Sequence, residues 1–125
     1  MEFINSEEFL KLSKNIQNLL TEWWLENVSS YSLVAYKNSP NYVTFYGDIE
    51  SGENVEIIPL FTEGELRQII EKITEDKILF DEYEEWYVYK NCAAYKYVGN
   101  ENLGDDLLHA YWKVICKIAK NVVGD

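Results

Sequence analysis

The sequence predicts an α+β fold: a single domain over residues 1–125 whose antiparallel or mixed sheet of about five or six strands carries three helices mainly on one face. Three observations predict it. Three segments repeat apolar residues at helical spacing behind helix-start signals. Between them lie short runs rich in β-branched and aromatic residues, bounded by turn chemistry. The chain is also long enough, at 125 residues with a hydrophobic fraction of 47%, to bury one core without metals or disulfides. Its 19 aromatic residues argue against disorder, although the net charge of −11 leans the other way.

The first helix opens at Asn5, with Glu8 three positions on in a capping-box pattern and Ser6 as a rival cap. Phe9, Leu12, Ile16, Leu19, Leu20 and Trp23 then recur at helical spacing and predict one helix reaching Trp24 or Leu25. Adjacent Trp23 and Trp24 lie about 100° apart on a helix, so one faces the core and the other its edge. From Tyr31 the period changes to two. "YSLVAY" and "NYVTFY", separated by "KNSP", predict an antiparallel hairpin. "NVEIIPL" predicts a third strand, with Pro59 at a strand end or sheet edge because it has no N–H to donate.

The second helix is signed by Thr62 as N-cap, Glu65 closing a capping box and Phe61 placed to staple onto Leu66. Leu66, Ile69, Ile70 and Ile73 form its buried stripe, and it ends near Thr74. "KILF", "WYVY" and "AAYKYV" predict further strands, and a turn at Lys90 and Asn91 would place Trp86 opposite Tyr95. The last helix begins near Asn102 or Asp105. Leu107, Leu108, Tyr111, Val114, Ile115, Ile118 and Val122 form its apolar face; His109, Lys113, Cys116, Lys117 and Lys120 lie opposite.

No apolar run approaches the roughly 18 residues of a membrane span, and "MEFINSEEF" lacks the basic and apolar regions of a signal peptide. A cytoplasmic protein is expected. Cys92 and Cys116 read as buried or incidental thiols rather than a bridge. Catalysis has few candidates: the single histidine, His109, sits on the polar side of its helix, and Cys116 is two turns away, about 10 Å along the axis. No nucleophile-elbow, phosphate-loop or metal-ligand spacing occurs, so neither an enzyme nor a cofactor is expected. "DIESGE", with acids at 48, 50 and 53, lacks the glycine and terminal glutamate spacing of an EF-hand.

Charge is the remaining signal. Residues 48–106 hold 16 of the 22 acids and 5 of the 11 bases, so the whole imbalance falls in that window. Its densest part is "FDEYEEW", where Asp81, Glu82, Glu84 and Glu85 surround Tyr83. In an extended segment, Glu82 and Glu84 would share a face about 6.7 Å apart, roughly two nucleotide steps along a DNA strand. Asp81, Glu82, Tyr83, Glu84 and Glu85, joined by Asp48, Glu50, Glu53, Asp105 and Asp106, are therefore the candidate binding residues. The expected partner is the basic groove of a host protein, with no direct nucleic-acid or membrane binding and with homo-oligomerisation open. The competing reading is that acids at a strand mouth keep an edge soluble.

Three stretches look familiar together: "INSEEFLKLSKNIQNLLTEWW", "IIPLFTEGELRQIIEKIT" and "LLHAYWKVICKIAKNVV". They resemble small uncharacterised proteins encoded by phages and prophages of Gram-positive bacteria, which share an opening helix ending in a Trp pair, a TEGxLR helix start and a closing AYWKVxxKIA helix. The shared positions are caps and apolar stripes, so the resemblance implies fold determinants and carries over no functional residue. It does imply an accessory phage protein, for which inhibition of a host nucleic-acid-binding defence system, such as a CRISPR effector, is the leading expectation. An oligomeric sponge for a nucleotide immune signal, or a structural or regulatory phage protein with a merely solubilising acidic face, are the alternatives.

Overall fold

The computed structural model describes residues 2–49, 56–74, 78–80, 86–88, 97–98, 101–102 and 106–124. The fold is α+β, and the chain forms two compact units, residues 3–62 and 63–125. In the first unit the order is α1 (Ser6–Leu10), α2 (Lys14–Leu25), β1 (Leu33–Tyr36), β2 (Ser39–Phe45), a 3-10 turn (Tyr46–Asp48) and β3 (Ile57–Pro59).

The expected single opening helix is two helices. Asn5 caps α1, its side chain accepting from the Glu8 N–H at 3.1 Å. Ser6 is not the cap; it is buried and donates its hydroxyl to the Pro40 carbonyl at 2.8 Å. The break has a polar cause. Ser13 adopts an extended conformation and accepts from the Ile16 N–H, starting a second helix. The Gln17 carboxamide donates to the Leu12 carbonyl at 2.8 Å, satisfying an acceptor just past the end of α1. With the phase reset, the α2 stripe is Ile16, Leu20 and Trp24 at intervals of four. Trp24 is therefore the core indole, 1% exposed and edge-on to Tyr46, while Trp23 is only half-buried.

The hairpin forms, but its turn is shorter than "KNSP": Lys37 and Asn38 make it, and Ser39 and Pro40 already belong to β2. The sheet order is β2-β1-β3, antiparallel throughout. Leu33 faces Phe45, Val34 faces Thr44 and Ala35 faces Val43; the register then slips so that Tyr36 faces Ser39. Pro40 sits within the slipped stretch of an edge strand, where a missing N–H costs no ladder bond. Pro59 ends the opposite edge strand, β3. Central β1 is buried on both faces, Val34 and Ala35 being fully covered. Helices α1 and α2 pack on this sheet, and Ile4, Phe9, Ile58, Leu60 and Phe61 complete the buried set.

The second unit contains α3 (Glu63–Thr74), β4 (Ile78–Phe80), β5 (Trp86–Val88), β6 (Tyr97–Val98), β7 (Glu101–Asn102) and α4 (Leu107–Val123). Helix α3 begins directly after Thr62 and ends at Thr74, and it buries Leu66, Ile69 and Ile70. It packs against α4. The first half of α4 is covered more widely than a single stripe predicts: Ala110 and Trp112 are buried alongside Leu108, Tyr111, Val114 and Ile115. Toward its end the helix emerges, leaving Val122, expected on the apolar face, 60% exposed. Gly124 closes it at φ 79°, its N–H donating to the Lys120 carbonyl at 2.9 Å, a left-handed cap that glycine adopts without strain.

Strand β5 pairs with β4, placing Phe80 opposite Trp86. The turn expected at Lys90 and Asn91, and the pairing of Trp86 with Tyr95, lie outside the described residues. Strands β6 and β7 pair through Tyr97–Asn102 and Val98–Glu101, separated in sequence by Gly99 and Asn100, a strong hairpin signal. Among the described residues the strands thus form one three-stranded sheet and two two-stranded ladders.

Candidate acidic interface

Of the ten candidate binding residues, Asp48 and Asp106 fall among the described residues. Asp81, Glu82, Tyr83, Glu84, Glu85, Glu50, Glu53 and Asp105 lie outside them. What is described is what flanks the densest run: Phe80 of β4 before it and Trp86 of β5 after it, which are ladder partners. Asp48 is exposed at the end of the 3-10 turn that follows β2.

Asp106 has a local task. It is the N-cap of α4, accepting the Leu108 N–H at 3.1 Å, and its second oxygen accepts a hydrogen bond from His109 Nδ1–H. A carboxylate can only accept, so this bond fixes which imidazole nitrogen carries a proton. The His109 contact is the largest cause and holds the Asp106 carboxyl below its ordinary range; burial opposes it, and backbone N–H groups of Leu108 and His109 add smaller help. The aspartate expected to face a partner is engaged at a helix terminus, where both its charge and its oxygens stabilise the first turn.

The sequence window and the fold divide the charge differently. Residues 1–62 carry 9 acids and 3 bases, a net −6, and residues 63–125 carry 13 acids and 8 bases, a net −5. The 48–106 window straddles the boundary between the units. What stands out within either unit is local density, four acids in the five residues 81–85.

The other titratable groups have structural explanations. Burial pushes the Tyr111 phenol up to about 12, so it stays neutral and serves as core. Lys37 sits 3.4 Å from Glu56 and, through its own ammonium, lowers the pKa of neighbouring Lys14. Lys37 and Glu56 line an open groove of about 440 Å³ in the first unit, together with Phe9, Ile57, Asn18 and Glu22. Two carboxylates against one ammonium already facing Glu56 make it a poor receptor for phosphate. Among the described residues no three His, Cys, Asp or Glu side chains converge as metal ligands, and no helix is long and apolar enough to cross a membrane. Lys113, Lys117 and Lys120 form an exposed row on α4, and Cys116 is half-buried beside it.

A second exposed feature lies outside the candidate acidic residues. Tyr31, Tyr42, Val43 and Phe45 are 82%, 62%, 42% and 46% exposed. Tyr42 stacks on Tyr36 and Tyr31 meets Phe45 edge-on, so two exposed ring pairs flank β2. A sequence signal for it exists: residues 27–47 contain one charged side chain, Lys37. Comparisons with protein-family models, curated proteins and solved structures give no match to the chain.

Proposed function

We propose that this is a phage-encoded, non-enzymatic binding protein that acts in the host cytoplasm by inhibiting a nucleic-acid-binding defence system, a CRISPR effector being the kind of target its charge suits. The observation that carries the proposal is the placing of Asp81, Glu82, Glu84 and Glu85 in the five-residue connection between ladder partners Phe80 and Trp86. Four carboxylates within five residues concentrate negative charge as a short run of phosphates does. A groove lined with Lys and Arg would accept them in place of phosphates, by attraction that also speeds encounter. The resemblance of the capping and stripe motifs to small phage proteins supplies the biological setting.

The test is competitive. The protein is titrated into a purified, guide-loaded CRISPR effector holding fluorescent target DNA. Displacement of the DNA is expected, and reversing the four acids to lysine should weaken it on the order of 100-fold. Asp106→Asn should leave displacement intact, because Asp106 serves as a cap. Inhibition that survives the fourfold reversal would falsify the proposal.

A further inference from the structure

Strand β2 is an edge of its sheet, and the direction of its backbone groups follows from the neighbouring hydrogen bonds. The Tyr46 N–H donates to the Ser32 carbonyl at 2.7 Å. On the other side of β1, the Leu60 N–H donates to Leu33 and the Lys37 N–H to Glu56. Even-numbered residues of β1 therefore bond toward β2 and odd-numbered ones toward β3, as antiparallel alternation requires. With Val34 opposite Thr44, Thr44 turns its N–H and C=O inward. Val43 and Phe45 turn theirs to the open edge.

Those outward backbone groups are flanked by side chains that are themselves exposed: Val43, Phe45, Tyr42 and, against Phe45, Tyr31. Edge strands are ordinarily guarded by charge or proline. Here Pro40 guards only the far end, and residues 38–47 carry no charged side chain in a protein of net charge −11. We propose that this edge pairs antiparallel with the same edge of a second copy, about a two-fold axis at Thr44. Val43 of each copy then exchanges backbone hydrogen bonds with Phe45 of the other. Thr44 meets its own counterpart at the non-hydrogen-bonded position, a favourable cross-strand pair. Two three-stranded sheets become one continuous sheet of six strands.

Charge selects this occupant. Two copies repel wherever their acids face each other, and exposed β2 carries no acid. The size of the patch sets the strength: at about 200 Å² per ring, the exposed parts of Tyr31, Tyr42 and Phe45 offer about 400 Å². A stable complex uses about 800 Å² on each partner, so the dimer is weak and concentration-dependent.

Sedimentation equilibrium of the full chain from about 10 μM to about 1 mM, a range spanning weak dimers, tests the pairing. The mean mass should climb toward two chains, and Val43→Lys should weaken association at least about tenfold by placing like charges across the axis. Amide hydrogen exchange at Val43 and Phe45 should slow as concentration rises, while the Thr44 amide stays protected throughout. A mass that stays monomeric to 1 mM, or association indifferent to Val43→Lys, overturns the proposal. So does protection of Val43 and Phe45 that is independent of concentration, because the edge is then covered by the chain's own residues. Should Val43→Lys fail to fold, the exchange experiment on the unaltered protein decides alone.

Discussion

Residues 27–47 and residues 48–106 adjoin in sequence and solve the problem of exposure in opposite ways. The first stretch has one charged residue among 21, and the second has 21 among 59. Burial explains part of the contrast, since Val34 and Ala35 of β1 are fully covered. It does not explain β2, which is exposed and still uncharged. An exposed surface that avoids charge suits a partner bearing the same surface, and one that concentrates charge suits a partner of opposite sign. The two regions thus point to different contacts on one small protein.

The contrast is broken most severely by putting charge where the neutral stretch is buried. Val34→Asp leaves an unpaired carboxylate in the central strand and should cost about 4 kcal/mol, enough to unfold a marginal domain in urea titrations followed by circular dichroism. Val43→Asp, the same exchange at the open edge, should cost less than about 0.5 kcal/mol. If the two lose similar stability, the distinction drawn between core strand and free edge is wrong. Gly47, the last residue of the neutral stretch, offers a smaller test. A Cβ there would lie 2.7 Å from the Ser30 Cβ and 2.9 Å from its carbonyl oxygen. Gly47→Ala should therefore cost about 2 kcal/mol in the same titration, because the Gly47 N–H to Ser30 bond holds the two segments at that distance.

Much of this framework is legible in the sequence because it is locally determined. Asn5 capping α1, the pairing of the two aromatic runs as a hairpin, Pro59 at an edge and the end of α3 near Thr74 all follow from short-range chemistry. The break between α1 and α2 was hidden because Ser13 and Gln17 sit inside an apolar spacing that also fits one helix. The Ser13 cap and the Gln17 to Leu12 bond mark the break in the folded chain, and with the phase reset Trp24 rather than Trp23 enters the core. The burial of Trp112 was likewise hidden, since helical periodicity assigns one face and α4 is covered on more than one. For the candidate site, composition shows where acids are dense along the chain, but which of them serve the fold depends on individual bonds. Asp106, engaged with Leu108 and His109, shows how a residue chosen for its charge can owe its place to a helix terminus.

Asp106 also gives a test of intermediate size on the acidic side. Asp106→Ala should cost about 1 kcal/mol, whereas Asp106→Asn keeps a capping oxygen and should cost less. Their pH dependence separates charge from geometry. Because the folded-state pKa is lowered, the ionised carboxylate stabilises the fold fully above the ordinary carboxylate range. That contribution is lost as pH falls through the lowered value. Denaturation midpoints of the unaltered protein and Asp106→Asn should therefore separate above the ordinary carboxylate range and converge as pH falls below it. Parallel curves would mean that the cap works through its oxygen alone.

The smallest effect is a difference in sign, and it bears on both regions at once. Raising salt from about 0.1 M to about 1 M shortens the screening length from about 10 Å to about 3 Å. Contact between the acids of 81–85 and a basic groove must then weaken, because screening removes an attraction. Pairing of two β2 edges must strengthen, by a factor of a few, because screening removes a repulsion between copies of charge −11 and leaves the rings and backbone bonds as they were. Effector binding and self-association measured across the same salt series should therefore move in opposite directions. Movement in the same direction would mean that one surface serves both contacts, and the acidic connection and the neutral edge would have to be treated as a single site.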